Sequence, residues 1–404
     1  MLSPGIPHTH PTPHVAARRA REVGAEIIGD IELLVRACPA ARYVAITGTN
    51  GKSTTTALLG HILREAGLRV EVGGNLGPPA AAFPPLREEG TYVLELSSYQ
   101  LELTPSLSCD VAVLVNIGSD HLDRHGGPAG YFAAKRRIFD GQPSEATAVV
   151  GVDDEGSRRI FEELSASAHA TGRTVIGISG ERPVPGGVYV ADGTLYDDTG
   201  GDRREILSLS AVEALPGAHN HQNAAAACAA AMAICVKCAT ISAGIRSYPG
   251  LPHRQEPVAI IDGVRYINDS KATNAEAAAR ALACYQEIYW IAGGRAKEGG
   301  LSALESCLPR IRHAFLIGEA AERMAAELHD RVETDISGDL EHAVRDARDA
   351  ALREGLSSPV VLLSPACASF DQFKDFEARG TEFRRLVAAL PGGSRRVFKH
   401  VETA

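Results

Sequence analysis

The sequence predicts an α/β fold of two domains, each built on a mainly parallel sheet. Three observations carry that prediction. From Tyr43 to Ile178, apolar strand-like runs alternate with helical stretches. A glycine-rich turn, Thr47-Gly48-Thr49-Asn50-Gly51-Lys52-Ser53-Thr54, joins the first of these strands to a helix. A second alternating series starts after Tyr248-Pro249-Gly250-Leu251-Pro252, punctuation suited to a hinge. The 404 residues leave room for two to three domains of roughly 100–200 residues each.

The chain opens with His8, His10 and His14 among Pro7, Pro11 and Pro13, which reads as an extended connector rather than a metal-binding tail. Strands are expected at 43–47, 68–72, 91–96, 111–116, 147–151 and 174–178, with helices near 53–66, 129–139 and 155–169. From Gly187 to Leu209, short strands separated by Gly and Asp turns predict a small antiparallel patch. The apolar run Ala224 to Val236 lies in a helix expected over 221–236; its alanines suit tight packing. At about 20 residues for a membrane span, that run is too short to cross a bilayer. Strands of the second series are expected at 257–262, 264–268, 287–292, 313–317 and 359–363. No internal repeat is visible.

The net charge of -9 without a basic face argues against a nucleic-acid partner. No basic segment followed by an apolar one opens the chain, so no secretory signal or membrane association is expected. Eight cysteines without a disulfide framework suit a reducing cytoplasm. Cys235 and Cys238 form a CxxC pair, but no second ligand pair is close in sequence, so buried helical thiols are expected.

The turn after the first strand has the chemistry of a phosphate cradle. Gly48 and Gly51 let the backbone fold tightly so that N–H groups face one anion, and the helix dipole adds positive potential. Lys52 supplies a full charge near terminal phosphates, Ser53 is placed for Mg²⁺, and Thr49, Asn50 and Thr54 complete the loop. The pattern is a shorter variant of the usual P-loop, with Ile46 where a glycine is common. Glu95 ends an apolar strand, either as a ligand for the same Mg²⁺ or as a solvated strand-end carboxylate. Asn116 to Asp123 follows another apolar strand and clusters Asp120, His121 and Asp123, a possible second metal site. Gly73-Gly74-Asn75 allows close backbone approach to a ligand, or is a plain turn. In the second series three polar loops follow strands: Asn268–Asn274, Gly293–Lys297 and Ser364–Asp371. Gathered on one sheet edge, they would form a binding surface.

Together these motifs resemble the Mur ligases, and within them the D-glutamate-adding members. The likeness runs from Ser3-Pro4-Gly5-Ile6-Pro7 to Phe383 through Gly29-Asp30-Ile31-Glu32-Leu33, GTNGKST, GGNLG, ELSSYQLE, SDHLDRH, AAKRRIF, Pro216–Asn220, NDSKATN and SPACASFDQF. The resemblance implies a central P-loop-type ATP-binding domain over 39–250 and a C-terminal Rossmann-like α/β domain over 251–404. Residues 1–38 would be the remnant of an N-terminal UDP-binding domain and a connector. In the family SPGIP lies near the end of that domain; here it starts at Ser3, so the domain is expected to be largely missing through a late-assigned start or a truncated product.

It further implies ATP-dependent addition of D-glutamate to UDP-N-acetylmuramoyl-L-alanine through an acyl phosphate, for peptidoglycan synthesis, by a cytoplasmic monomer. Lys52, Asn75, His121 and Lys135 would be catalytic. Two Mg²⁺ sites would involve Ser53, Glu95, His121 and Lys135, the last carbamylated. ATP would also meet His219, Asn220, Asp269 and Lys271. Substrates would meet Ser3, Pro4, Gly5, Asn75, Thr273, Lys297, Ser369 and Phe376. The rival readings are another Mur or folylpolyglutamate-type ligase, and an inactive nucleotide-binding remnant.

Overall fold

The computed structural model describes residues 1–118, 122–296 and 300–398. Met1–Tyr248 form one compact unit and Pro249–Ala404 a second.

The first unit holds β1 (Arg42–Thr47), β2 (Arg69–Gly74), β3 (Gly90–Glu95), β4 (Val111–Leu114), β5 (Thr147–Gly151), β6 (Thr174–Ser179), β7 (Val188–Ala191), β8 (Thr194–Asp197) and β9 (Arg204–Ser208). Its helices are α1 (Val15–Glu22), α2 (Asp30–Ala37), α3 (Lys52–Glu65), α4 (Ser98–Glu102), α5 (Pro128–Arg136), α6 (Glu155–Thr171), α7 (Ala218–Ala233) and α8 (Cys238–Ser247). The strands line up as β2-β3-β1-β4-β5-β6-β7-β8-β9. Pairing is parallel as far as β7 and antiparallel through β8 and β9, so the expected patch extends the same sheet.

β1 is buried from its second residue onward and β3 throughout, as strands covered on both faces must be. Successive side chains of β1 point to opposite faces: Val44 and Ile46 join a core with α3, α7 and α8, while Tyr43 and Ala45 join one with α2 and α6. In α7 every residue from Ala224 to Ala231 is fully buried. Methyl side chains let this helix lie close to the sheet and to α3. After β1 the chain builds β2 and β3 on one side of it and then crosses to β4 on the other, which makes the carboxyl end of β1 a topological switch point.

The second unit contains β10 (Glu256–Ile261), β11 (Val264–Asn268), β12 (Ile288–Gly293), β13 (Ile311–Ile317), β14 (Glu333–Gly338), β15 (Val360–Leu363) and β16 (Arg395–Val397) in the order β14-β13-β12-β15-β11-β10-β16. β10 is antiparallel to both its neighbours; the other pairs are parallel. α9 (Ala275–Leu282) and α10 (Ala321–Leu328) cover one face, α11 (Leu340–Glu354) and α12 (Phe376–Ala389) the other.

Two strands escaped the sequence reading. β14 carries Glu333, Thr334, Asp335 and Ser337 with only Ile336 apolar, and β16 is exposed throughout. Both are edge strands set by pairing rather than by burial. The CxxC expectation is corrected as well. Cys235 is exposed, with φ +65 beyond the end of α7, and Cys238 is half-buried at the first position of α8. No helix among the described residues is long and apolar enough to cross a membrane.

Candidate functional site

At the switch point β1 runs into the phosphate-loop motif, and the flanking strands deliver Glu95 and Asn116 beside it. Register pairs Ile46 with Glu95. Thr47 leaves the strand by donating its hydroxyl to Leu96 O at 2.7 Å. The amides of Thr49 and Asn50 donate to the backbone and side-chain oxygens of Asn116, each at 2.9 Å. Those two N–H groups are thus spent anchoring the loop, and the anion-facing donors belong to the first turn of α3. Gly51 opens that helix at φ +81, ψ -13. A Cβ at Gly51 would fall 2.1 Å from Asn223 Oδ1, so glycine is required both for backbone angle and for space.

Asn223 in turn accepts from the Thr55 hydroxyl at 3.3 Å and donates to Asn220 Oδ1 at 3.0 Å. Asn220 donates to Pro216 O at 2.8 Å, tying the PGAHN segment to the loop, with His219 half-buried next to it. Asn116 also donates to Gln222 Oε1 at 3.1 Å, and Gln222 to Asp153 Oδ2 at 2.9 Å. Sequence reasoning missed the anchoring roles of Asn223, Gln222 and Asp153. The sole available signal was the polar start of an otherwise alanine-rich helix.

Two ammonium groups converge on the loop. Lys52 Nζ donates to Gly48 O at 2.8 Å and Thr49 O at 2.9 Å. Lys135, buried in α5, donates to Gly48 O at 2.7 Å, with its Nζ 4.7 Å from the centre of the Tyr131 ring.

Asn75 donates to Glu95 Oε1 at 2.8 Å. The other oxygen, Glu95 Oε2, is buried without a hydrogen-bond partner. An orphaned carboxylate oxygen beside a phosphate loop fits a hard divalent cation, which takes oxygen ligands. Ser53, buried in the first turn of α3, supplies a second oxygen from the loop side. Among the described residues no three His, Cys, Asp or Glu gather as a metal centre. His121 and Asp120 lie outside the described residues, as does Lys297.

A cavity of about 360 Å³ gathers Ser3, Pro4, Asp30, Asn75 and Gln100. Gly5 is exposed and does not line it. Asp30 Oδ1 is buried without a hydrogen-bond partner.

In the second unit the three polar loops follow β11, β12 and β15, which are adjacent in the order β12-β15-β11. What holds them is Arg379, 1% exposed. Its guanidinium donates to Ser270 Oγ (3.0 Å), Ser270 O (2.9 Å), Cys367 O (3.2 Å) and Gly293 O (3.5 Å), one contact or more for each loop. Burial lowers its pKa to about 10, against the opposing influence of Asp371 and Cys367. The sequence offered only an arginine in a helix pattern, so this bracket was missed.

Asp269 is buried, accepting from the Ser364 hydroxyl at 2.7 Å and from the Gln255 amide at 3.1 Å. Burial pushes its carboxyl up to about 7, although both hydrogen bonds and Arg254 pull the other way. Lys271 Nζ sits 4.5 Å from the centre of the Phe376 ring, so the loop after β11 meets the first residue of α12. Thr273 is half-buried beside Lys271, and Ser369 is buried with its carbonyl accepting from Gln372 and Phe373.

Comparison with known proteins places this geometry. Residues 46–231 match the profile of the Mur ligase middle domain, and residues 253–367 that of the Mur ligase glutamate ligase domain. A Rhodospirillum rubrum protein named UDP-N-acetylmuramoylalanine--D-glutamate ligase is 54% identical over 401 residues, 97% of this chain and 83% of that one. A protein of the same name from Paramagnetospirillum magneticum is 51% identical over 391 residues, covering 97% and 84%. Among solved structures, a UDP-N-acetylmuramoyl-L-alanyl-D-glutamate--2,6-diaminopimelate ligase superposes with a TM-score of 0.61 at 19% identity, over 92% of this chain and 81% of that one. The MurF ligase of Thermotoga maritima, solved with ADP, gives 0.58 at 19% identity over 88% and 82%. These structures share the mixed α/β fold with parallel-rich sheets.

Proposed function

The chain belongs to the Mur ligase family, and from that premise we propose that it is an ATP-dependent carbon–nitrogen ligase joining D-glutamate to UDP-N-acetylmuramoyl-L-alanine in peptidoglycan-precursor synthesis. What carries the reading is the anchored phosphate loop at the switch point, in a chain whose relatives bear the name of that ligase. The γ-phosphoryl of ATP passes to the substrate carboxylate. The amine of D-glutamate then attacks the acyl phosphate, and the tetrahedral intermediate collapses to amide and inorganic phosphate.

The residues take their parts by position. The first turn of α3 and Lys52 hold the phosphates, with Gly48, Thr49, Asn50, Gly51 and Thr54 shaping the loop. Lys52 stabilises the charge on the transferring phosphoryl group. Ser53 and Glu95 would hold Mg²⁺, which neutralises phosphate charge when bound. Asn75, joined to Glu95 and lining the cavity with Ser3 and Pro4, orients the substrate carboxylate there. In the second unit Thr273, Lys297, Ser369 and Phe376 take D-glutamate, and Asp269 and Lys271 are nucleotide contacts; in the first unit His219 and Asn220 are nucleotide contacts. The working unit is taken to be a single chain in the cytoplasm.

A second Mg²⁺ would fall to His121 and a carbamylated Lys135. The Lys135–Gly48 bond is compatible with that modification, because a carbamate nitrogen keeps one N–H to donate. With ¹³C-bicarbonate the protein should show a carbamate carbon resonance that Lys135→Ala lacks, along with a loss of turnover. A wild-type protein without that resonance sinks the modification.

The reaction itself is tested by phosphate release from ATP in the presence of UDP-N-acetylmuramoyl-L-alanine, using this chain and one extended upstream. Release should require D-glutamate and be absent with L-glutamate, L-alanine or diaminopimelate. Equal release with another amino acid selects a different ligase of the family. ATP binding without ligation by either chain selects the nucleotide-binding remnant.

A further inference from the structure

The His/Pro opening of the chain is docked onto the loop that follows β4, and the contacts continue to the phosphate loop. His8 Nε2 donates to Glu102 Oε2 at 3.1 Å. The other oxygen of Glu102 accepts from His125 Nδ1, also at 3.1 Å. With its proton on Nδ1, His125 accepts at Nε2 from the Ser98 hydroxyl, 2.9 Å away. Arg124 adds an ion pair to Glu102 at 3.7 Å and donates to Ile6 O at 3.5 Å. Burial alone would push the Glu102 carboxyl up, but the hydrogen bonds and electrostatic pull of His8 and His125 outweigh it and hold the group below its ordinary value.

The His125 side chain is fully buried, so its orientation is fixed by its partners. One face stacks on Tyr99 at 5.3 Å, and the ring also meets Tyr131 at 5.5 Å. The Tyr131 hydroxyl lies 3.1 Å from Thr49 Oγ1, and that same oxygen accepts from the Gly118 amide at 2.8 Å. From His8 to Thr49, each step is a hydrogen bond or a ring contact.

We infer that His8, Glu102 and His125 form a positioning relay that sets Tyr131 against Thr49, so that the geometry of the phosphate loop depends on how the segment Ser3–His8 is seated. His8, Glu102 and His125 act here through Tyr131, as positioning residues. The regulatory half of the inference rests on the reading of Ser3 and Pro4 as substrate contacts: a ligand that seats this segment would also order the loop that takes ATP.

The test uses ATP binding and backbone exchange, which do not depend on which amino acid is ligated. Hydrogen–deuterium exchange of the amides of Thr49 and Asn50, and the Kd for Mg-ATP, are measured on the full chain. The variants are His8→Ala, Tyr131→Phe and the pair combined, with His125→Phe as a further probe that keeps the ring stack. His8→Ala sits at the half-buried end and removes nothing from the core. Loss of one net hydrogen bond corresponds to roughly 5-fold. Each single variant should therefore speed loop exchange and weaken ATP by about that factor, while exchange along β1 stays unchanged. Because both act through one chain of contacts, the double variant should be no worse than Tyr131→Phe alone. Wild-type loop exchange in His8→Ala overturns the relay, and so do effects of His8→Ala and Tyr131→Phe that simply add.

Discussion

Lys52→Ala should lower D-glutamate-dependent phosphate release by roughly 10²- to 10³-fold, the loss typical when one preorganised donor to a transition-state oxyanion is removed. The effect should fall mainly on turnover, since the α3 amides and the loop backbone still bind phosphate. Lys52→Arg is expected to rescue little. A planar guanidinium cannot reproduce a compact ammonium seated between Gly48 O (2.8 Å) and Thr49 O (2.9 Å). Steady-state kinetics with ATP varied will decide it; a Lys52→Ala enzyme within a few-fold of wild type removes the phosphate loop from the mechanism. The neighbouring Lys135 makes the experiment sharper. It donates to the same Gly48 carbonyl, so unchanged folding of Lys52→Ala is expected and can be checked by circular dichroism.

Arg379→Met should act on both stability and substrate use. The methionine fills part of the volume but leaves the carbonyls of Ser270 and Cys367 without their donor inside a buried site. Each buried group left unsatisfied costs about 1–3 kcal/mol. In a domain of this size that corresponds to a fall in Tm on the order of 5–10 °C. Because the guanidinium bridges the loops after β11, β12 and β15, KM for D-glutamate should rise by more than tenfold. Arg379→Lys should fail almost as badly, since one ammonium cannot reach four acceptors in three loops. Wild-type Tm and KM in Arg379→Met would show that the loops hold their shape without it.

The parts of the fold that could be read from sequence are those where a local pattern reports burial. β1, β3 and β5 are short apolar runs buried on both faces, and each lies within about one residue of its expected place. β14 was invisible because an exposed edge strand needs no apolar period. The same divide runs through the site. Gly51, Lys52 and Glu95 announce themselves within a few residues of one another or of a strand end. Asn223 does not: its contact with Thr55 joins residues 168 positions apart, and no local spacing records such a pairing. Arg379 and Ser270 are 109 positions apart for the same reason. Residues that do chemistry carry a type and a motif; those that hold them in place carry only a partner, and partners are chosen by the fold.

The buried alanines of α7 limit how this protein can drift. Every alanine codon is one base change from codons for Val, Thr, Ser, Pro, Gly and an acid, and from no non-alanine residue that matches its size while keeping its helix preference. At the seven alanines of Ala224–Ala231 that flank Cys228, each fully enclosed, most available point mutations therefore overfill the packing, break the helix or bury a charge. Since the same helix carries Asn223 to Gly51, those mutations would also disturb the phosphate loop. A population exposed to an inhibitor of this loop would find few escape routes through its supporting helix, and substitutions that survive selection should concentrate elsewhere.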